Sequence, residues 1–343
     1  MARRGKRAAG AARAILGCVR SRDPTTLLVA ARGGDRGSTG RLLSLLERGG
    51  AAARSVGQLT YADGLEVGAV IGITGAPGAG KSTLTDAVVA EVRRGGERVG
   101  VLAIDPTSPF SGGAILGDRV RMQRHAGDRE VFVRSVATRG HPGGLARPIP
   151  EAIRVLGAVG IPVVIVETVG VGQVEVDIAG AADTTVVMVT PGWGDSLQTS
   201  KAGLLEIADV FVVNKADRAG ASQARQDLQH MVDLDPAPSG WRPPVLLTSA
   251  LRGEGVAELW ATLQAHRAWL ASSGEGLRRR ARHLEEEMSA ILTHHLQTDG
   301  ARMAAGARWA EARGRVMAGT TDPHTAVYEM IDAARSTERP PAL

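Results

Sequence analysis

The sequence predicts an α/β fold: a mostly parallel sheet flanked by helices, with helical extensions at both ends. Three observations carry this reading. Short apolar runs recur from residue 68 onward without polar alternation, as in strands covered on both faces of a mostly parallel sheet. Helical patterns separate many of these runs, the alternation of α/β proteins. A Gly-rich segment, G-A-P-G-A-G-K-S at 75–82, joins one run directly to a helical stretch.

Residues 1–25 read as a basic, disordered tail. Arg3, Arg4, Lys6, Arg7, Arg13 and Arg20 all precede the first acid, Asp23. A transit peptide shares this composition, but no apolar core of signal-peptide type is present. Residues 26–67 read as a helical extension. Leu42, Leu43, Leu45 and Leu46 form an amphipathic stripe, and Gly49-Gly50 ends it. The α/β block spans 68–270. Its expected strands are 69–74, 99–104, 131–136, 162–166, 185–190, 209–213 and 244–248, and a helix is expected over 83–93. Residues 271–343 read as a helical C-terminal segment. Within it, 275–310 is rich in Arg, Glu, Ala and Leu, and Asp322-Pro323 opens a last helix.

Composition narrows the function classes. A chain of 343 residues suggests about two domains. The mean hydropathy is −0.03, and no apolar run approaches the about 18 residues of a membrane helix. No membrane partner is expected. The single cysteine, Cys18, excludes an internal disulfide framework and a Cys-cluster metal site. A reducing, cytoplasmic setting fits. The net charge of +5 and a pI near 9.9 invite a nucleic-acid reading. Against it, only Lys6, Lys81, Lys201 and Lys215 are lysines, and the other basic residues are arginines. With 44 glycines and 3% aromatics, this is compositional bias rather than a basic face with stacking rings. No nucleic-acid partner is expected.

The segment 75–82 fits G-x-x-x-x-G-K-[ST] between a strand and a helix, the context of a P-loop. Gly75, Gly78 and Gly80 let the backbone curl so that its N–H groups face phosphate oxygens. Lys81 reaches the β- and γ-phosphates, the Ser82 hydroxyl ligates Mg²⁺, and the helix adds its positive end. The expected nucleotide contacts are Gly75, Ala76, Pro77, Gly78, Ala79, Gly80, Lys81, Ser82 and Thr83.

Asn214-Lys215-Ala216-Asp217 follows another apolar run and fits the guanine-reading N-K-x-D. An Asp carboxylate accepts from guanine N1–H and the exocyclic amine. Adenine offers a lone pair and no amine there, so one polar partner is lost. The Lys215 stem covers the base face. Thr248-Ser249-Ala250 resembles the second base loop, so Ser249, Ala250 and Leu251 join the expected contacts. Asp105 and Glu167 end two apolar runs, and Asp118 lies in the loop beyond Asp105. Such carboxylates suit Mg²⁺ ligation; the alternative for each is a helix cap or a solvated loop acid.

Glu167-Thr168-Val169-Gly170 stands where many GTPases carry D-x-x-G, so Gly170 is the expected γ-phosphate contact. The residue after that Gly, often a water-orienting Gln, is Val171, and Gln173 lies two further on. Slow basal GTP hydrolysis is expected, with Lys81, Glu167 and Gln173 as candidate catalytic residues. Arg119, Arg121 and Arg139 are candidate charge stabilisers or plain surface arginines.

These motifs together resemble the MeaB/ArgK group of P-loop GTPases. The matching blocks are 72–84, D-P-T-S (105–108), S-G-G-A-I-L-G-D-R-V-R-M (111–122), G-G-L-A-R (143–147), E-T-V-G-V-G-Q-V-E-V (167–176), N-K-A-D (214–217) and D-P-H-T-A (322–326). The resemblance implies a P-loop core of the SIMIBI class and a homodimer joined through the C-terminal helical arm. It implies a GTP/GDP- and Mg²⁺-dependent chaperone of an adenosylcobalamin-dependent mutase, which gates cofactor loading and protects or reactivates the enzyme. Lys81 and Ser82 carry over as phosphate and Mg²⁺ contacts, Asp105, Asp118 and Glu167 as the acidic metal site, and Asn214, Lys215 and Asp217 as guanine readers. The segment 191–201 resembles the family's partner-signalling loop. Asp195, Gln198 and Lys201 match it, whereas Trp193, Ser196, Thr199 and Ser200 depart from it. Ser135-Val136 and 147–149 also depart. The nucleotide site is intact, and the identity of the client mutase stays open.

Two other readings compete with this one. A transport-associated kinase or ATPase for basic amino acids conflicts with N-K-A-D, which selects GTP. A metallochaperone-type GTPase needs clustered His or Cys. Only His294-His295 are adjacent, and neighbours on a helix point about 100° apart.

Overall fold

The computed structural model describes residues 23–62, 67–105, 123–125, 127–137, 148–168, 178–192, 206–234 and 240–337. The chain divides into two compact units, Met1–Arg282 and His283–Leu343.

The described residues of the first unit begin with three helices: α1 (Pro24–Arg32), α2 (Arg36–Arg48) and α3 (Gly50–Ala62). Asp23 and Asp35 cap the first two. Asp23 accepts from Thr26 N at 2.8 Å and Asp35 from Ser38 N at 3.1 Å, satisfying amide donors that a helix start leaves without partners. The stripe Leu42, Leu43, Leu45 and Leu46 is buried as expected. Gly49 ends α2, but Gly50 is the first residue of α3 rather than part of a longer loop. Both glycines have positive φ, so the chain turns sharply and the helix restarts at once.

Every expected apolar run is a strand: β1 (Ala69–Gly75), then α4 (Lys81–Arg94), β2 (Val99–Asp105), β3 (Val131–Ala137), α5 (Ile149–Ala158), β4 (Val163–Glu167), β5 (Thr184–Val189), β6 (Val210–Asn214), α6 (Ala221–Leu234), β7 (Val245–Thr248) and α7 (Val256–Ser273). The strand order is β3-β2-β4-β1-β5-β6-β7, and every ladder between them is parallel. The chain leaves β1 toward one edge, returns to β4 and then builds the other side from β5. The order therefore reverses at β1, and the crevice beyond its C-terminal end is where open parallel sheets bind ligands.

Both faces of the sheet are covered, which explains the absence of polar alternation. One face packs Ile71, Ile73 and Ile165 against Leu84 and Val88 of α4 and Leu259 and Leu263 of α7. The other packs Leu102, Val164 and Val166 with Leu42 and Leu46 of α2 and Leu156 of α5. A smaller cluster seats Leu228 of α6 on Phe211 and Val213. Each fully buried Leu or Val contributes about 1.5–3 kcal/mol of burial free energy.

The second helical segment begins with α8 (Glu275–Ala304), followed by α9 (Ala307–Met317) and α10 (Pro323–Thr337). The stretch 275–310, rich in Arg, Glu, Ala and Leu, holds α8 and the start of α9, with Gly306 as the N-cap of the second. In the second unit, Ala312 of α9 and Ala326 of α10 are buried, and Arg315 pairs with Glu329 at 2.6 Å. Asp322 caps α10 through His324 N and Thr325 N. No helix among the described residues is long and apolar enough to cross a membrane.

At the N-terminal ends of the strands, two buried aspartates lace the sheet together. Asp183 accepts from Val70 N of β1 at 3.0 Å, and Asp209 accepts from Thr185 N of β5 at 2.8 Å. Arg279 of α8 forks onto both oxygens of Asp209, at 2.9 and 2.8 Å, and Arg280 reaches Asp183 at 3.2 Å. Beside them His266 of α7 is fully buried, bonded to the Thr184 hydroxyl at 2.8 Å and flanked by Trp241 and Trp269.

Burial pushes the His266 pKa below its ordinary value, with the Asp209 carboxylate pulling the other way. The unfolded chain therefore binds a proton that the folded chain refuses, and His266 costs stability as pH falls below its ordinary pKa of 6.5. We expect His266→Gln to flatten the fall in unfolding temperature between about pH 7 and about pH 5.5. Parallel melting curves for the two proteins check this, and identical slopes would contradict it.

Candidate functional site

The sequence motifs meet beyond the C-terminal ends of β1, β4, β6 and β7. Gly75 is the last residue of β1 and takes φ +141°. A Cβ there would lie 2.2 Å from the Met188 carbonyl oxygen of β5, so the strand exit demands glycine. Gly80, the N-cap of α4, takes φ +95°, and a Cβ there would meet the Asn214 side chain at 2.5 Å. Pro77 and Gly78 are exposed between these fixed points. The helix begins at Lys81, two residues earlier than its sequence pattern suggests, because the left-handed Gly80 turns the chain straight into it.

Lys81 is buried, and its Nζ donates to the Gly75 and Ala76 carbonyl oxygens at 2.7 and 3.1 Å. The amine thus sits across the loop mouth, held by groups that a more negative acceptor outcompetes. Ser82 Oγ donates to Glu167 Oε1 at 2.5 Å, and both residues are buried. Thr83 is exposed on the same first turn. Thr168 braces the end of β4 against β1: its N–H donates to the Ile73 carbonyl at 3.1 Å and its hydroxyl to that of Thr74 at 3.0 Å. Neither Thr74 nor Thr168 stands out as a functional residue in the sequence. Their signal is a hydroxyl at the C-terminal end of an otherwise apolar run.

Asn214 ends β6 and is 3% exposed. Its Nδ2 donates to the Ala79 carbonyl at 2.8 Å, while its Oδ1 accepts from Thr248 Oγ1 and Ala250 N at 3.1 Å each. One amide therefore joins the Gly-rich loop to the 248–250 loop. Lys215 has φ +59°, the left-handed region that side chains rarely adopt. That conformation turns its stem back over the Gly-rich loop, where Nζ donates to the Gly78 carbonyl at 2.7 Å. The Asp217 carboxylate accepts from Ser249 Oγ at 2.9 Å. This bond, more than the nearby Arg252 and Arg218 charges, holds its pKa below the usual carboxylate value. Asp217 is thus an anionic acceptor oriented by Ser249; in the same loop Ala250 is buried and Leu251 exposed.

Asp105 ends β2, next to β4, where Ala103 lies opposite Glu167. The Asp105 side chain, Asp118, Gly170, Gln173, Arg119, Arg121 and Arg139 lie outside the described residues, as do Asp195, Gln198 and Lys201. Among the described residues no group of three or more His, Cys, Asp or Glu is placed to hold a metal ion.

Removing the Asn214 amide leaves the Ala79 carbonyl and Ala250 N–H buried without their bonds. We expect Asn214→Ala to cost about 2 kcal/mol of stability and to weaken binding of nucleotide more than it weakens the fold. Urea unfolding with and without nucleotide checks both parts. A variant that unfolds like the parent would remove the bridge from the account.

Comparison with known proteins gives the family. Residues 41–304 match the family model described as methylmalonyl Co-A mutase-associated GTPase MeaB. A chain from Pyrococcus abyssi named as a GTPase is 52% identical over 264 residues, 76% of this chain and 81% of its own length. A Mycobacterium tuberculosis chain named as a GTPase is 38% identical over 321 residues, 91% of this chain and 96% of its own. A crystal structure described as LAO/AO transport system kinase matches with a TM-score of 0.66 at 26% identity, over 91% of this chain and 97% of that one. The chain belongs to the MeaB family of P-loop GTPases.

Proposed function

We propose that this GTPase is a nucleotide-gated chaperone of an adenosylcobalamin-dependent acyl-CoA mutase, the methylmalonyl-CoA enzyme or a relative, acting in the cytoplasm. The observation that carries the proposal is the match over 41–304 to a family described as methylmalonyl Co-A mutase-associated GTPase. It sits on a site whose side chains suit guanine and phosphate together. The matching residues of 191–201, Asp195, Gln198 and Lys201, are the proposed point of communication with the mutase.

In the proposed mechanism the 75–82 backbone cradles the phosphates and Lys81 exchanges its loop carbonyls for phosphate oxygens. Asp217 takes the base N1–H and amine, and the Lys215 stem and Leu251 cover its faces. Ser82 and Glu167 supply two converging oxygen donors, the donor chemistry of a hard cation. They would hold Mg²⁺ together with Asp105 and Asp118. The metal would neutralise phosphate charge. Gly170 and Gln173 are the proposed γ-phosphate contact and water-orienting residue, and hydrolysis is slow without the partner.

A homodimer belongs to the same proposal. The 30 residues of α8 include no buried one. Leu284, Met288, Ile291, Leu292 and Leu296 of α8 are exposed, at spacings that gather them along one side of a helix. A second copy of α8 is the occupant that would cover them.

The test is GTP turnover by the purified chain, alone and with each adenosylcobalamin-dependent mutase of its own organism. One mutase should raise the rate about tenfold or more, since a partner that prefers one nucleotide state shifts the cycle toward it. An unchanged rate with every mutase would end the chaperone reading.

A further inference from the structure

The loop after β7 carries an arginine that the proposed mechanism does not use. Residues Ser249 to Glu254 close on themselves. Ser249 N donates to the Glu254 carbonyl at 3.0 Å, Glu254 N returns the bond at 3.2 Å, and Arg252 N donates to the Ser249 carbonyl at 2.9 Å. Gly255 pins the exit of this loop. It takes φ +74°, and a Cβ there would stand 2.1 Å from the Leu247 carbonyl oxygen. Arg252 is therefore presented from a fixed backbone. Its guanidinium lies 3.8 Å from Asp217 Oδ2, while Ser249 Oγ holds Oδ1 at 2.9 Å.

The two carboxylate oxygens are thus engaged unequally. Ser249 approaches one and orients the group. Arg252, more than half exposed, faces the other as an ion pair at 3.8 Å, longer than a hydrogen bond. A guanine ring needs an acceptor for N1–H and another for the exocyclic amine. The guanidinium and the amine present the same chemistry to the same carboxylate: planar N–H donors.

Resting on the guanine reading of Asp217, we propose that Arg252 is a stand-in for the guanine 2-amino group, occupying Asp217 when the site is empty and withdrawing when guanine enters. Arg252 is then a specificity-determining residue with effects of opposite sign on two bases. With guanine it is a competitor that must be displaced. With hypoxanthine, which has N1–H but no 2-amino group, it fills the acceptor that the base leaves unused. It thereby blunts discrimination between them.

The experiment is titration of GDP and of IDP into wild-type protein and Arg252→Ala, at low and at high salt. Arg252→Ala should bind GDP about threefold more tightly and IDP about threefold more weakly at low salt, the scale of an exposed ion pair. Both shifts should shrink at high salt. A merely structural role would move both nucleotides the same way. Shifts of one sign, or no shift, with wild-type protein still binding GDP, overturn this inference alone. Wild-type protein that binds neither nucleotide overturns the guanine reading and this inference with it.

Discussion

The Asn214 side chain is the joint on which the site depends. Its amide spans the Gly-rich loop after β1 and the loop after β7, elements brought together only by the sheet. A buried amide makes such a link only when each of its groups finds a partner, and here both its donor and its acceptor ends do. Gly80 completes the constraint from the other side. Its missing side chain leaves the room that the Asn214 amide fills. The Gly-rich loop and the 248–250 loop are therefore tied to each other through one side chain.

The sheet supplies the frame for that joint. Parallel strands bring β1, β4, β6 and β7 to the same edge, and the order reverses at β1. Their opposite ends are tied by Asp183 and Asp209, whose carboxylates take backbone N–H groups of β1 and β5 as well as Arg280 and Arg279. Breaking either pair leaves a buried charge facing the strand ends, a costly state. The first turns of α8 thus brace the end of the sheet opposite the Gly-rich loop.

Much of this was legible in the sequence, for reasons that differ between elements. The strands could be read because burial on both faces removes polar residues from them, as in Val163–Glu167 up to its terminal acid. The Gly-rich loop and Asn214–Asp217 could be read because their chemistry is local: each works through residues a few positions apart. The linkage between them could not. Asn214 and Ala79 are 135 residues apart, and Ser82 and Glu167 are 85 apart, so only the folded sheet reveals those bonds. Arg252 was hidden for another reason. In a chain so rich in arginine, one exposed guanidinium carries no signal until it is found facing Asp217. Gly50 misled the helix boundary, because a glycine marks a turn without saying how soon the next helix starts.

Asp217, oriented by Ser249 and set beside the Asn214 joint, is the proposed reader of a guanine base. The direct measurement is equilibrium binding of GTP and of XTP to wild-type protein and to Asp217→Asn. Xanthine carries a C2 carbonyl, which accepts from the new amide. The variant should lose about tenfold or more in GTP affinity and bind XTP better than the parent does. An unchanged GTP affinity in the variant would contradict this role for Asp217.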